Sequence, residues 1–136
     1  MARIGYMLIC DEVVQHNQNQ LAIFAPYPQI TTISMPGQYS FTLSLSIYDI
    51  VPEQKNHLKI ILKDPDDKTV WDMNADFDTK NNNNDNNGDF QHTIMNIPFK
   101  NYIFNKEGIY TFVTEVEVKE TDDKNSFSFP VRKKGD

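Results

Sequence analysis

A chain of 136 residues, 39% hydrophobic and 12% aromatic, has enough apolar side chains to bury one core as a single domain over 1–136 and too little charge to be disordered. Its formal net charge of −6 excludes nucleic acid as a main partner, because phosphate binding needs a basic stripe that displaces counterions. The single cysteine, Cys10, excludes an intramolecular disulfide, and no apolar run approaches the roughly twenty residues of a membrane-spanning helix, so a cytoplasmic protein with no membrane partner is expected.

The first predicted element is the apolar strand "IGYMLIC" over residues 4–10. With Arg3 before it and Cys10 at its end it has the outline of a lipoprotein signal. The run is only about seven residues, however, no longer than a minimal signal core, and Ile9 stands where a small residue is needed. "DEVVQHNQNQ" reads as a polar spacer, after which "LAIFA" forms a second strand pairing with the first. "QITTIS" is a further strand candidate. "FTLSLSIYDI" then alternates cleanly, with Phe41, Leu43, Leu45 and Ile47 on one face and Thr42, Ser44, Ser46 and Tyr48 on the other. "HLKIILK" repeats the pattern, with Leu58, Ile60 and Leu62 inward and Lys59 and Lys63 outward; Ile61 is the exception.

"DPDDK" is a turn signal, followed by the strand candidate "TVWDM". The Asn-rich stretch "KNNNNDNNGDF" has turn-forming side chains and little for a core, so a long mobile loop is expected near residues 78–89. "QHTIMNIPF" is again a strand, and "NYIFNKE" is the one place where a turn of helix is expected. "IYTFVTEVEVKE" sets Tyr110, Phe112, Val116 and Val118 against Thr111, Val113, Glu115 and Glu117. A turn at "TDDKN" leads to "SFSFPV", where Pro130 predicts a sheet edge or a bulge. From about residue 132, Arg132, Lys133 and Lys134 read as a short basic tail.

No window of a dozen residues keeps a 3.6-residue period, and β-branched and aromatic residues are spread along the chain. The expected fold is therefore all-β: a single antiparallel β-sandwich, immunoglobulin-like or related, of about seven to eight strands, with a β-barrel as the alternative. Gly108 and Tyr110 open a late strand as a tyrosine corner does, the Tyr hydroxyl bonding nearby backbone.

For chemistry, Asn83, Asp85, Asn87 and Gly88 imitate half of an EF-hand loop, yet Asn stands at the first ligand and Ile94 where the bidentate Glu belongs. A looser Ca²⁺ site would gather Asp64, Asp66 and Asp67 with Asp76, Asp78, Asp85 or Asp89; of these Asp64, Asp66, Asp67, Asp85 and Asp89 are the metal candidates. Against it, "DPDDK" is an ordinary turn whose Asp residues cap their own backbone. His16, His57 and His92 lie at no ligand spacing, and Cys10 reads as a small buried hydrophobe. Asp11 and Glu12 are adjacent and point to opposite faces of a strand, which does not make an acid–base pair. There is no nucleophile elbow, phosphate loop or H-E-x-x-H motif. Trp71, Tyr27, Tyr39, Tyr48 and Tyr102 would offer a stacking platform if exposed, and only Tyr48 has a patterning argument for exposure.

Taken together, "LICDEVVQHNQNQLAIFAPYPQI", "HLKIILKDPDDKTV", "IPFKNYIFNKEGIYTFVTEVEV" and "FSFPV" resemble an uncharacterised family of small bacterial immunoglobulin-like β-sandwich proteins, over most of the chain except residues 74–89. The resemblance implies a sandwich fold and carries no catalytic residue. The expected function is a non-enzymatic binding or assembly module, without a cofactor, acting on a protein partner or on itself through loops or an exposed strand edge. The alternative is a calcium-dependent or small-ligand-binding sandwich using the acidic loops.

Overall fold

The computed structural model describes residues 2–17, 20–50, 54–77, 91–118 and 121–135. Among these the regular elements are ten strands: β1 (Arg3–Cys10), β2 (Glu12–Asn17), β3 (Gln20–Phe24), β4 (Ile30–Thr32), β5 (Gly37–Ile50), β6 (Asn56–Lys63), β7 (Thr69–Phe77), β8 (Gln91–Phe104), β9 (Gly108–Val118) and β10 (Thr121–Lys133). They form a three-stranded sheet in the order β1-β5-β8, a five-stranded sheet in the order β4-β10-β9-β6-β7, and the separate hairpin β2-β3. The fold is all-β, as the alternation requires.

The two larger sheets share one core. From the three-stranded sheet come Ile4, Ile9, Phe41, Leu43, Leu45, Ile47, Phe99 and Phe104; from the five-stranded sheet come Leu58, Ile60, Leu62, Tyr110, Phe112, Val116, Phe129 and Val131. Aromatic rings bridge the sheets: Phe41 lies 4.7 Å from Phe99 in its own sheet and 6.4 Å from Phe112 and from Phe129 in the other. Burying a Phe or Leu side chain contributes on the order of 1.5–3 kcal/mol, so this shared layer dominates the stability of the fold. Along one side the backbone of Ile4 on β1 donates to a carboxylate oxygen of Asp123 on β10 at 2.8 Å.

Several expectations need correction. The strands number ten among the described residues, not seven to eight, and β10 pairs with β4 in parallel, from Val131 with Ile30 to Lys133 with Thr32. The polar spacer contains β2, because Val13 and Val14 give "EVVQHN" strand character. "LAIFA" pairs with β2 and not with β1, whose partner is β5. "NYIF" is the end of β8 and not a helical turn. Asn101 has a positive φ of 53°, and the register shifts between Tyr39 and Phe41 on the facing strand. This bulge breaks the two-residue alternation: Tyr102 follows Phe99 by three residues, and the regular step of two resumes to Phe104, so that all three pack toward the core.

"TDDKN" is likewise strand, since Thr121 already pairs with Val118 and Asp123 with Val116. Its polarity reflects an inner face that opens toward β1, where Asp123 receives the Ile4 amide. Arg132 and Lys133 belong to β10; their side chains are exposed while their backbone is paired. Pro130 pairs with Ile109 just before the β4 partnership begins, so at that point β10 has a strand on one side only, as expected of a strand proline. The loop expected near residues 78–89 lies outside the described residues.

Tyr110 is buried, and its hydroxyl donates to the carbonyl of Lys106 at 2.9 Å, the backbone tie that its position after Gly108 predicted. Gly108 itself has a φ of 139°, and a Cβ there would meet Pro65 at 2.6 Å, so only glycine fits. By contrast, the hydroxyl of Thr114, on the inner face of β9, is buried without a partner among the described residues.

Two substitutions test this packing by urea denaturation. Tyr110→Ala is expected to cost about 3–5 kcal/mol, and Tyr110→Phe, which removes only the hydroxyl bond, about 1 kcal/mol. Thr114→Val should stabilise by about 1 kcal/mol, because it replaces an unpaired buried hydroxyl by a methyl of similar shape. Destabilisation by Thr114→Val would show that its hydroxyl is hydrogen-bonded.

Candidate binding surface

The sheet registers bring three connections and the end of β10 to one end of the molecule. Lys63 pairs with Thr69 and Thr111, Gly37 with Phe104, Gly108 with Val131 and Lys133 with Thr32. The turn at residues 64–68, the loop at 33–36, the turn at 105–107 and the end of β10 therefore lie together.

Asp64 organises this end. It is 8% exposed, and one carboxylate oxygen accepts the backbone N–H groups of Asp66 at 2.9 Å and Lys68 at 3.0 Å. The backbone closes the same turn, with the Asp64 N–H donating to the Lys68 carbonyl at 2.8 Å and the Asp67 N–H to the Asp64 carbonyl at 2.9 Å. The Lys68 amide above all, with the Asp66 amide and the Lys106 charge, holds the Asp64 carboxyl below the usual carboxylate range against the cost of desolvation. Lys106 reaches across from the next turn, 3.5 Å from Asp64 and in direct contact with Asp66, while Lys63 pairs with Asp67 at 3.2 Å. Glu107 accepts the Lys133 amide at 2.6 Å and fixes the end of β10.

All three aspartates of the turn are thus engaged by donors of the same chain. Asp76 does not join them. It sits at the far end of β7, roughly 25 Å of extended chain away, where its carboxylate meets His57 at 2.6 Å. Asp78, Asp85 and Asp89 lie outside the described residues. The strand ends that flank them, Phe77 and Gln91, are also at the far end, since Asn56 pairs with Phe77 and Ile50 with Gln91. Among the described residues no three His, Cys, Asp or Glu side chains gather as a metal site.

Cys10 is fully buried, its thiol 3.8 Å from the Thr42 carbonyl, and burial, with the Asp11 charge second, pushes the thiol up and away from the reactive thiolate. It belongs to the three-stranded sheet, whereas His57 lies on the outer face of the five-stranded one. Of the aromatic candidates Tyr48 is exposed. Trp71, Tyr27, Tyr39 and Tyr102 are half-buried, Trp71 against Phe99 at 4.7 Å and Tyr27 edge-on to Tyr39 at 5.9 Å, so they make no common platform.

What pattern reading missed is the apolar rim. A cleft of about 240 Å³ opens between Asp64, Lys68, Tyr102, Lys106 and Tyr110, with Val70 and Ile103 on its walls. Val70 is 40% exposed and Ile103 57%, and the same end carries Ile109 at 47% and Ile33 at 87%. Ile109 and Val70 had a readable signal: each has the opposite parity to an inward aromatic neighbour, Tyr110 and Trp71.

At the far end His57 predicts a pH dependence. Its Nδ1 meets Asp76 and its Nε2 lies 3.2 Å from the Asn74 side-chain oxygen, so both ring nitrogens face acceptors. The Asp76 hydrogen bond first, then that of Asn74, raises the imidazole, and His57 in turn lowers Asp76. The raised histidine contributes stability in full below its unfolded pKa and loses it as pH rises through the folded value. The lowered aspartate contributes above its unfolded pKa and loses it as pH falls. The pair therefore acts most between about pH 4 and 6.5. Melting of His57→Gln against the native chain should differ most in that window and converge above it. A constant difference across pH would show that the pair is not ionic.

The chain belongs to a family of unknown function, DUF6941, whose match spans residues 5–131. No curated protein matches it.

Proposed function

For this family member we propose a non-enzymatic binding or assembly role: a β-sandwich of immunoglobulin-like or related build, working in the cytoplasm, that engages a protein partner or another copy of itself through its loop-bearing end. The observation that carries this reading is the exposure of Ile33, Val70, Ile103 and Ile109 around turns that are tied in place by Asp64, Lys106 and Glu107. A rigid apolar rim gains by burial against a partner without a large ordering cost. The polar groups beside it are occupied by one another, which supports binding over chemistry. The sandwich assignment rests on the aromatic layer common to both sheets and on the Tyr110 tie. The cytoplasmic placement rests on the single cysteine.

The test uses the full chain and the double variant Ile103→Glu/Ile109→Glu, with circular dichroism as the check on folding. The native protein is expected to recover a stoichiometric partner from its own cell, or to show concentration-dependent mass in sedimentation, and the variant to lose that association. A native chain that stays monomeric and recovers only background would defeat the proposal, as would a variant that associates equally well.

A further inference from the structure

β7 ends the five-stranded sheet. It pairs with β6 along its length and, among the described residues, has no strand on its other side, which leaves a row of backbone N–H and C=O groups free for pairing. Its inner face is unfinished. Leu62 and Ile60 on β6 are completely buried, yet their neighbours across the strands, Trp71 and Met73, are only partly so, as is Phe77 at the end of the strand. Met95 and Ile97 on β8, the last strand of the facing sheet, are also partly exposed on the core side. The apolar interior therefore comes to the surface along this side.

The outer face of β7 decides what can cover it. Asp72, Asn74 and Asp76 alternate there, all exposed. A second copy pairing β7 with β7 would set these carboxylates against one another, and like charges on directly opposed strands are destabilising. A strand with apolar residues on one face and basic residues on the other meets both requirements. It would continue the inner layer over Trp71 and Met73 and place its cations beside Asp72, the carboxylate of this face that His57 does not already engage.

We propose that the free edge of β7 is a docking site for an extended segment of a partner protein that alternates apolar and basic residues. The inference rests on the reading of this chain as a binding module and names a second surface of it and the chemistry of its partner. Main-chain pairing supplies affinity, and the alternation supplies selectivity.

Trp71 is the sole tryptophan of the chain and lies on this strand, so its fluorescence reports the edge directly. The probe is a synthetic peptide alternating valine and lysine over the length of β7, with a valine–glutamate peptide as its counterpart. The lysine peptide is expected to shift Trp71 emission to the blue saturably, and the glutamate peptide to have no effect. Asp72→Lys/Asn74→Lys should weaken the lysine peptide at least about tenfold and admit the glutamate peptide. Asp11→Lys/Glu12→Gln carries the same change of net charge on β2 and the residue before it, and should leave binding unchanged. Asp72→Asn serves as a milder variant and should give an intermediate loss. No saturable shift, or equal weakening by the two charge changes, overturns the inference. Neither result touches the loop-end reading, whose variants lie at Ile103 and Ile109; conversely, Ile103→Glu/Ile109→Glu must retain the Trp71 response, and its loss also overturns the edge.

Discussion

The contact between Phe41 and the rings of Phe112 and Phe129 is the constraint on which the molecule depends. It joins two sheets that have no strand in common, and each sheet alone would leave one apolar face in water. Once these rings are in register, β5 and β9 must lie across one another. The starts of β5 and β9 and the ends of β4, β6, β8 and β10 then collect at a single end. Phe99 and Phe104 extend the layer along β8, and Trp71 extends it to β7. The location of the loop-bearing end is thus a consequence of core packing and not of the loop residues themselves.

That geometry separates two kinds of polar residue. Those at the loop-bearing end are consumed in holding it: Asp64 by two amides and Lys106, Asp67 by Lys63, Glu107 by the amide of Lys133. Those on the outer face of the five-stranded sheet stand in cross-strand rows, such as Asp76, His57 and Glu117, in partial contact with water. The apolar groups left uncommitted are single side chains at the loop-bearing end and the unfinished inner face along β7.

The fold was readable in the sequence wherever a strand has one face in the core and one in water. Phe41, Leu43, Leu45 and Ile47 are all buried, as are Leu58, Ile60 and Leu62. Even Ile61, the exception, lies outward as its position requires, beside Val113 of β9. It was unreadable where local and long-range demands differ. β2 lacks alternation, the bulge at Asn101 shifts the phase of β8, and the parallel pairing of β4 with β10 joins residues about a hundred positions apart. The Asp64–Asp67 segment could be read as a turn because its bonds are local. Lys106 could not be placed on it, since Asp66 is 40 positions away. Nor does sequence mark Ile33 or Ile103 as exposed: an isoleucine has the same composition value in a core or on a rim, and only the ends of the strands decide between them.

The aromatic layer shared by the two large sheets makes them one cooperative unit. Native-state hydrogen exchange in increasing denaturant measures this cooperativity most directly. The slowest amides of β5 and of β9 are expected to open together, with the same free energy and the same denaturant dependence, while amides of β2 and β3 open at lower cost. Exchange of β5 through a separate, cheaper opening that leaves β9 protected would contradict it.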